Sequence, residues 1–262
     1  MGRLDNKVAI VTGGASGLGE ATAKLFAQEG ASVVIADVQD ALGAKVMAAI
    51  KEGGGEATYV HTDVTKAADV QNVIRLAEHQ YGKLTTMVAN AGILGSGSTK
   101  TVEQITEEEW NRILDVNLGG VMRCFKFAAP AIRRAGGGTM SATASTAGVA
   151  RVGQTLAAYS ASKFGVVSLV KQMAYELAKD GIRVNCVCPG GMETRIFESN
   201  GLSGAQRAAQ EAERAAARRA RGPLGRVSDP MEVAYAHLFL CSDEGSFVNG
   251  HALVADGGSL VQ

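Results

Sequence analysis

The sequence predicts an α/β fold: a doubly wound, seven-stranded parallel sheet with helices on both faces, built as a single domain over residues 1–262. Three observations carry this expectation. Short β-branched and apolar runs alternate with segments of helical spacing along nearly the whole chain. The first run ends in a glycine cluster that opens a helix. No linker and no internal period of roughly 20–50 residues breaks the alternation. Composition agrees, since 46% apolar and 20% charged residues are the proportions of a globular protein with a sizeable core.

The elements follow in order. A strand over 8–11 leads into the glycine cluster and a helix over 21–28, stopped by Gly30. A strand over 32–36 ends at Asp37, and a helix over 41–51 stops at Gly53-Gly54-Gly55. A strand over 57–61 ends at Thr62-Asp63, and the helix over 69–80 stops near Gly82. The strand over 85–89 runs into Asn90-Ala91-Gly92. Thr106 with Glu109 three residues on reads as a capping box, so a helix starts at 107 and is expected to reach about 134. Gly136-Gly137-Gly138 opens a strand through 144. A long helix over 159–179 precedes a strand over 182–188 that ends at Pro189-Gly190. Pro230 suits the first turn of a helix over 230–240, and a short strand covers 252–255. The parallel connections call for right-handed crossovers. The strand before 144 is the anomaly, because a central parallel strand is expected to be aliphatic. Its Ser141 and Thr143 need hydrogen-bond partners or they weaken it.

Charge and cysteine usage narrow the function classes. Lys plus Arg equals Asp plus Glu at 26 each, so no global field draws the chain to nucleic acid. Cys124, Cys186, Cys188 and Cys241 form no Cys-x-x-Cys pair, and the four histidines are far apart in sequence, so no metal site is expected. There is no apolar leader and no apolar run of about 18 residues. The expectation is a reduced, cytoplasmic protein without a membrane span.

Two constellations carry chemistry. The first is Thr12-Gly13-Gly14-Ala15-Ser16-Gly17-Leu18-Gly19 between the first strand and the first helix. Glycines there let backbone approach a pyrophosphate, and a helix N-terminus favours its charge. The spacing departs from Gly-x-Gly-x-x-Gly and lacks the Lys-Ser or Lys-Thr of an ATP-type loop, and a plain tight turn is the bland alternative. Asp37 ends the second strand eighteen residues after Gly19. A carboxylate there accepts hydrogen bonds from an adenosine ribose and repels a 2′-phosphate. Val38-Gln39-Asp40 adds no cation to welcome that phosphate, so the expected cofactor is NAD rather than NADP.

The second constellation is Tyr159 and Lys163, four residues apart on one helical face, with Ser145 fourteen residues upstream. A nearby ammonium favours phenolate and lowers the tyrosine pKa from about 10. A serine hydroxyl can hold the oxygen that gains or loses the proton. Alone, a Tyr-x-x-x-Lys spacing is also what an exposed helix face presents by chance.

Together these pieces resemble the short-chain dehydrogenase/reductase family in its compact form, with its Rossmann fold. The resemblance rests on 12–19, Asp63-Val64, Asn90-Ala91-Gly92, Asn117, Ser145-Thr146-Ala147-Gly148, Tyr159-x-x-x-Lys163 and Pro189-Gly190, and covers nearly the whole chain. It implies an NAD-dependent oxidoreductase that interconverts a secondary alcohol and a ketone by hydride transfer. Tyr159 would be the general acid/base, and Lys163 would lower its pKa and hold the nicotinamide ribose. Ser145 would orient the substrate oxygen, with Thr146 a competitor one residue closer to Tyr159. Asn117 would support a water-linked proton relay, or else merely cap or kink its helix. Cofactor contacts are implied at Gly13, Ser16, Gly17, Leu18, Gly19, Asp37, Val38, Asp63, Val64, Asn90, Ala91, Gly92, Pro189, Gly190 and Thr194. Asp63 has a simpler reading as a turn former after its strand. One departure from the family pattern is Ala89, where a second asparagine often precedes Asn-Ala-Gly.

Leu94, Ala147, Val152, Gln154 and Met192 are expected to line a mostly apolar substrate pocket, which suits an apolar or cyclic alcohol or ketone. The segment 195–222 is expected to cover it. Its arginines, Arg207, Arg214, Arg218, Arg219 and Arg221, read as the solvated face of a mobile lid helix, or more sharply as a grip on an anionic substrate. Two other functions share these features: a 3-oxoacyl-thioester reductase acting on acyl carrier protein, and a non-catalytic NAD(H)-binding regulatory or interaction protein. The family resemblance further implies a homotetramer.

Overall fold

A computed structural model describes residues 2–152, 155–192, 196 and 222–261. Seven parallel strands form one sheet in the order β3-β2-β1-β4-β5-β6-β7. They are β1 Val8–Thr12, β2 Ser32–Asp37, β3 Glu56–His61, β4 Thr86–Ala89, β5 Gly138–Thr143, β6 Ile182–Pro189 and β7 Ala252–Ala255. The described helices are α1 Gly17–Gln28, α2 Asp40–Glu52, α3 Ala67–Tyr81, α4 Glu107–Leu114, α5 Gly120–Arg134, α6 Ala157–Leu177 and α7 Pro230–Cys241. The strand order reverses between β1 and β4. At such a point the connecting loops diverge and leave a crevice beyond the strands' carboxyl ends.

The two faces of the sheet are separate cores. On one, Ile10, Val34, Met87, Met140 and Val184 pack with Val73 of α3, Phe125 and Ile132 of α5, and Val166 and Val170 of α6. On the other, Ala9, Val11, Val33, Ile35 and Val187 pack with Phe26 of α1, Val46 and Ile50 of α2, and Val233 and Leu238 of α7. Strands buried on both faces explain why the runs at 8–12 and 32–37 read as continuous apolar stretches rather than alternating ones. No described helix is long and apolar enough to cross a membrane.

Two expectations shift. Helix α1 begins at Gly17, four residues before its apolar spacing becomes regular, so its first turn is part of the glycine loop itself. The helix expected over 107–134 is interrupted. Its capping box at Thr106 and Glu109 is present, but Asp115–Gly119 winds as a π-helical turn between α4 and α5. That wider turn carries Asn117, whose fully buried side chain leaves the helix to bond the chain at Ile93.

The polar residues of β5 find their partner on α7. Ser141 Oγ lies 2.8 Å from Nδ1 of His237, and Thr143 Oγ1 lies 3.1 Å from its Nε2. Ser141 and His237 are both fully buried. The strand therefore keeps its place in the sheet without an unsatisfied hydroxyl at either position.

Phe125 is fully buried where α5 meets the sheet. Phe125→Ala should lower the unfolding free energy by about 3–5 kcal/mol through lost burial and the cavity left behind. Urea unfolding with an unchanged m-value is the check.

Candidate active site

A cleft of about 1570 Å³ lies over the carboxyl ends of the strands. The turns that follow β1, β2, β3, β4, β5 and β6 all contribute to its wall. Its end at the glycine turn is shaped by close backbone approach. Gly13 has φ +64°, and a Cβ there would stand 2.8 Å from Ala91 Cα. A Cβ on Gly19 would collide with the carbonyl of Gly13. Both positions exclude any larger side chain, so the chain after β1 lies against the start of α1 and against the turn after β4. Ser16, the N-cap of α1, makes no side-chain capping bond and lines the cleft.

Asn90 locks this corner. Its Nδ2 donates to the carbonyls of Thr12, at 3.0 Å, and Gly13, at 3.3 Å. Its Oδ1 accepts from Thr143 Oγ1 at 2.9 Å. Asp37, 5% exposed, is held equally firmly. One carboxylate oxygen accepts from Ala15 N at 3.0 Å and the other from Gln39 N at 3.0 Å. The carboxylate thus faces the cleft from a fixed position, while the side chain of Val38 is exposed beside it.

Asp63 and Val64 also line the cleft. Asp63 Oδ1 accepts from Thr65 N at 3.0 Å and Thr65 Oγ1 at 2.7 Å, so its carboxylate is also a turn former. Val64 is buried against Gly120, where a Cβ would stand 2.8 Å from Val64 Cγ2. Pro189 and Gly190 form the wall after β6, where a Cβ on Gly190 would meet Asp256 Cα at 2.8 Å.

At the other end, Tyr159 and Lys163 project from the first turns of α6. Tyr159 is 9% exposed and Lys163 is 2% exposed, and both line the cleft. Lys163 Nζ donates to the carbonyl of Thr143 at 2.7 Å and stands 5.6 Å from the centroid of the Tyr159 ring. Gly148 lets the turn after β5 lie directly on α6, since a Cβ there would be 2.6 Å from the carbonyl oxygen of Lys163. Ser145 is extended, its Oγ accepts from Ala147 N at 3.1 Å, and its hydroxyl lies near enough to the Tyr159 phenol to lower its pKa. Its competitor Thr146 begins the following 3₁₀ turn and also lines the cleft.

The electrostatics correct one expectation. Burial pushes the Tyr159 phenol up to about 12, against a lowering by the Ser145 hydroxyl. Lys163 Nζ stands over the ring, 5.6 Å from its centroid, and burial outweighs the lowering expected of it. Burial also brings the Lys163 ammonium down to about 8. A buried ammonium and a buried phenol are thus held together, each favouring its neutral form.

Asn117 is fully engaged. Its Oδ1 accepts from Ile93 N at 2.8 Å, and its Nδ2 donates to Ile93 O at 2.9 Å and Ser162 Oγ at 3.2 Å. It joins the π-helical turn, the loop after β4 and α6 next to Lys163. Leu94 and Ala147 pack with Tyr159, flanked by Val152, Leu156 and Ile196, and Met192 completes this apolar wall. Gln154, Thr194 and the arginines of 207–221 lie outside the described residues. Sequence reasoning did not find Thr143 or His237. The signal available was the misplaced polarity of β5.

Comparisons with known proteins agree with this geometry. A family model described as "Enoyl-(Acyl carrier protein) reductase" matches residues 13–259. The crystal structure of a short-chain type dehydrogenase/reductase from Mycobacterium marinum superposes with a TM-score of 0.90 at 33% identity, over 99% of this chain and 97% of that one. The chain is a short-chain dehydrogenase/reductase. It is 42% identical to secoisolariciresinol dehydrogenase of Forsythia intermedia, over 99% of this chain and 91% of that enzyme. It is 38% identical to cyclohexanol dehydrogenase of Acinetobacter sp. (strain SE19), over 97% and 95% respectively. Membership makes this short-chain dehydrogenase/reductase an oxidoreductase that interconverts alcohol and ketone with a nicotinamide cofactor.

The buried lysine gives a stability signature. Between pH of about 8 and 10.5 the unfolded chain carries a proton on Lys163 that the folded protein releases, so unfolding free energy rises with pH across that window. Lys163→Met lacks this term. Wild type should therefore gain on the order of 3 kcal/mol relative to the variant from pH 8 to 10.5, at about 1.36 kcal/mol per pH unit. Urea unfolding of both proteins at the two pH values checks it. A difference between them that does not change with pH contradicts it.

Proposed function

We propose that the protein reversibly oxidises an apolar cyclic secondary alcohol to its ketone with NAD, using Tyr159 as general acid/base. The observation that carries the reading is the buried Tyr159 phenol, beside Ser145 with Lys163 over its ring, at the apolar end of a cleft that begins at a glycine turn. The residues fit a dinucleotide. The turn at Gly13 and Gly19 admits no side chain, and Asp37 is oriented by two backbone N–H groups. A carboxylate so fixed accepts from ribose hydroxyls and repels a 2′-phosphate, which supports NAD over NADP.

When bound, NAD supplies the hydride acceptor. The chain supplies orientation and a proton acceptor. Ser145 and Tyr159 hold the substrate oxygen between two hydroxyls. Tyr159 takes the alcohol proton in oxidation and returns it to the carbonyl oxygen in reduction. A phenol near 12 stays protonated at neutral pH and cannot accept the alcohol proton unaided, and added positive charge beside it brings its ionisation toward working pH. Lys163 provides part of that charge and donates to the nicotinamide ribose. Asn117 positions the loop after β4 against α6. Leu94, Ala147, Val152 and Met192 exclude water around the reacting carbon. The similarity to cyclohexanol dehydrogenase supports a cyclic substrate.

The family model's description favours a second reading, reduction of an acyl-thioester substrate. The four cysteines are buried and unpaired, which suits a reducing cytoplasm. Met122 of α5, Phe164 of α6 and Val254 of β7 are apolar and exposed, which suits burial in a homotetramer.

Tyr159→Phe should fold and bind NADH while turnover falls by about 10²–10⁴. Retention of a tenth of wild-type turnover would remove Tyr159 from the reaction. Asp37→Ala should weaken NAD and admit NADP, and an unchanged preference would show that another residue reads the ribose. A panel of cyclic alcohols, their ketones, 3-oxoacyl thioesters and 2-enoyl thioesters, run with both cofactors, separates the two readings of substrate.

A further inference from the structure

Thr143 is shared by both ends of the cleft. Its carbonyl holds Lys163 Nζ at 2.7 Å, and its hydroxyl donates to Asn90 Oδ1 at 2.9 Å. Asn90 in turn donates to the carbonyls of Thr12 and Gly13 in the glycine turn. Behind Thr143, on the far side from Lys163, stands His237, fully buried on α7, a helix that contributes nothing to the acid/base group.

The protons of this network can be assigned. The Asn90 amide must point its nitrogen at two carbonyls, so its oxygen faces Thr143 and the Thr143 hydroxyl proton goes to Asn90. The 3.1 Å contact between Thr143 Oγ1 and His237 Nε2 then has the ring N–H as donor. Nδ1 is left to accept from Ser141 Oγ at 2.8 Å. A single chain of donors therefore runs from Ser141 through His237, Thr143 and Asn90 to the glycine turn. Burial brings the imidazole down to about 3, which keeps the ring neutral and the chain in this one direction.

We propose that His237 is a positioning residue for the dinucleotide: its Nε2–H fixes the Thr143 hydroxyl, and through Asn90 it fixes the glycine turn that receives the cofactor. The inference rests on the nicotinamide-dependent reading of the cleft, and its test reads binding rather than turnover. In His237→Leu the volume is kept and the donor is lost. NADH affinity, followed by the fluorescence of the bound nucleotide, should fall about tenfold, the effect of one lost buried hydrogen bond. The cofactor KM should rise by the same factor while kcat at saturating NAD stays near wild type. His237→Gln, whose amide can still donate to Thr143, should recover most of the affinity.

Thr143→Val should show the same loss, and the double variant Thr143→Val with His237→Leu should lose no more than either single one. The Thr143 variant also keeps the test open if His237→Leu does not fold. In protein carrying ¹⁵N-histidine, the signal absent from His237→Gln should show a protonated Nε2 and a bare Nδ1 at every pH from about 5 to 9. NADH affinity unchanged in His237→Leu, equal losses in the Leu and Gln variants, additive losses in the double variant, or a proton on Nδ1 would each overturn the proposal. A wild-type protein that binds no nicotinamide nucleotide would instead refute the reading of the cleft.

Discussion

The hydrogen bond from Lys163 Nζ to the carbonyl of Thr143 ties α6, the helix that carries Tyr159, to the end of β5. An ammonium that is 2% exposed needs an acceptor, and the end of β5 is where the fold offers one. The rest of the site is arranged around that contact. Tyr159 is carried on the same helix one turn earlier, so holding the lysine also sets the phenol against Ser145. The approach of the two elements is close because Gly148 has no side chain to separate them.

Burial has a cost that the same arrangement turns to use. Both groups are pushed toward their neutral forms, the lysine down to about 8 and the tyrosine up to about 12. A phenol so placed does not ionise on its own at neutral pH. On the reading proposed above, its basicity depends on charge brought beside it, which couples proton transfer to the presence of the oxidised cofactor. The position of the cleft follows from topology, because the strand order reverses between β1 and β4 and the loops part there.

Much of this was legible in the sequence. All seven strands and helices α1, α2, α3, α6 and α7 were readable, because strands buried on both faces leave continuous runs and glycine marks many element ends, whereas α4 and α5 were expected as one helix. The glycine turn, Asp37, Ser145, Tyr159 and Lys163 were legible because each occupies a fixed distance from an element boundary. What escaped depends on contacts between distant segments. The π-helical turn at 115–119 arises because Asn117 bonds Ile93, a pairing across 24 residues with no local signature. The sign of the tyrosine shift was misjudged because spacing gives neighbours but not burial. Ser141 and Thr143 announced a missing partner without naming it, and that partner, His237, lies 94 residues beyond Thr143.

The most direct measurement is the phenolate absorbance titration of Tyr159, taken as the difference between wild type and the phenylalanine variant, with and without saturating NAD. The account predicts ionisation near 12 in the protein alone and a displacement of several pH units toward neutrality with NAD bound. An enzyme that turns over while this titration stays where it was would contradict a tyrosine base made active by the charge beside it.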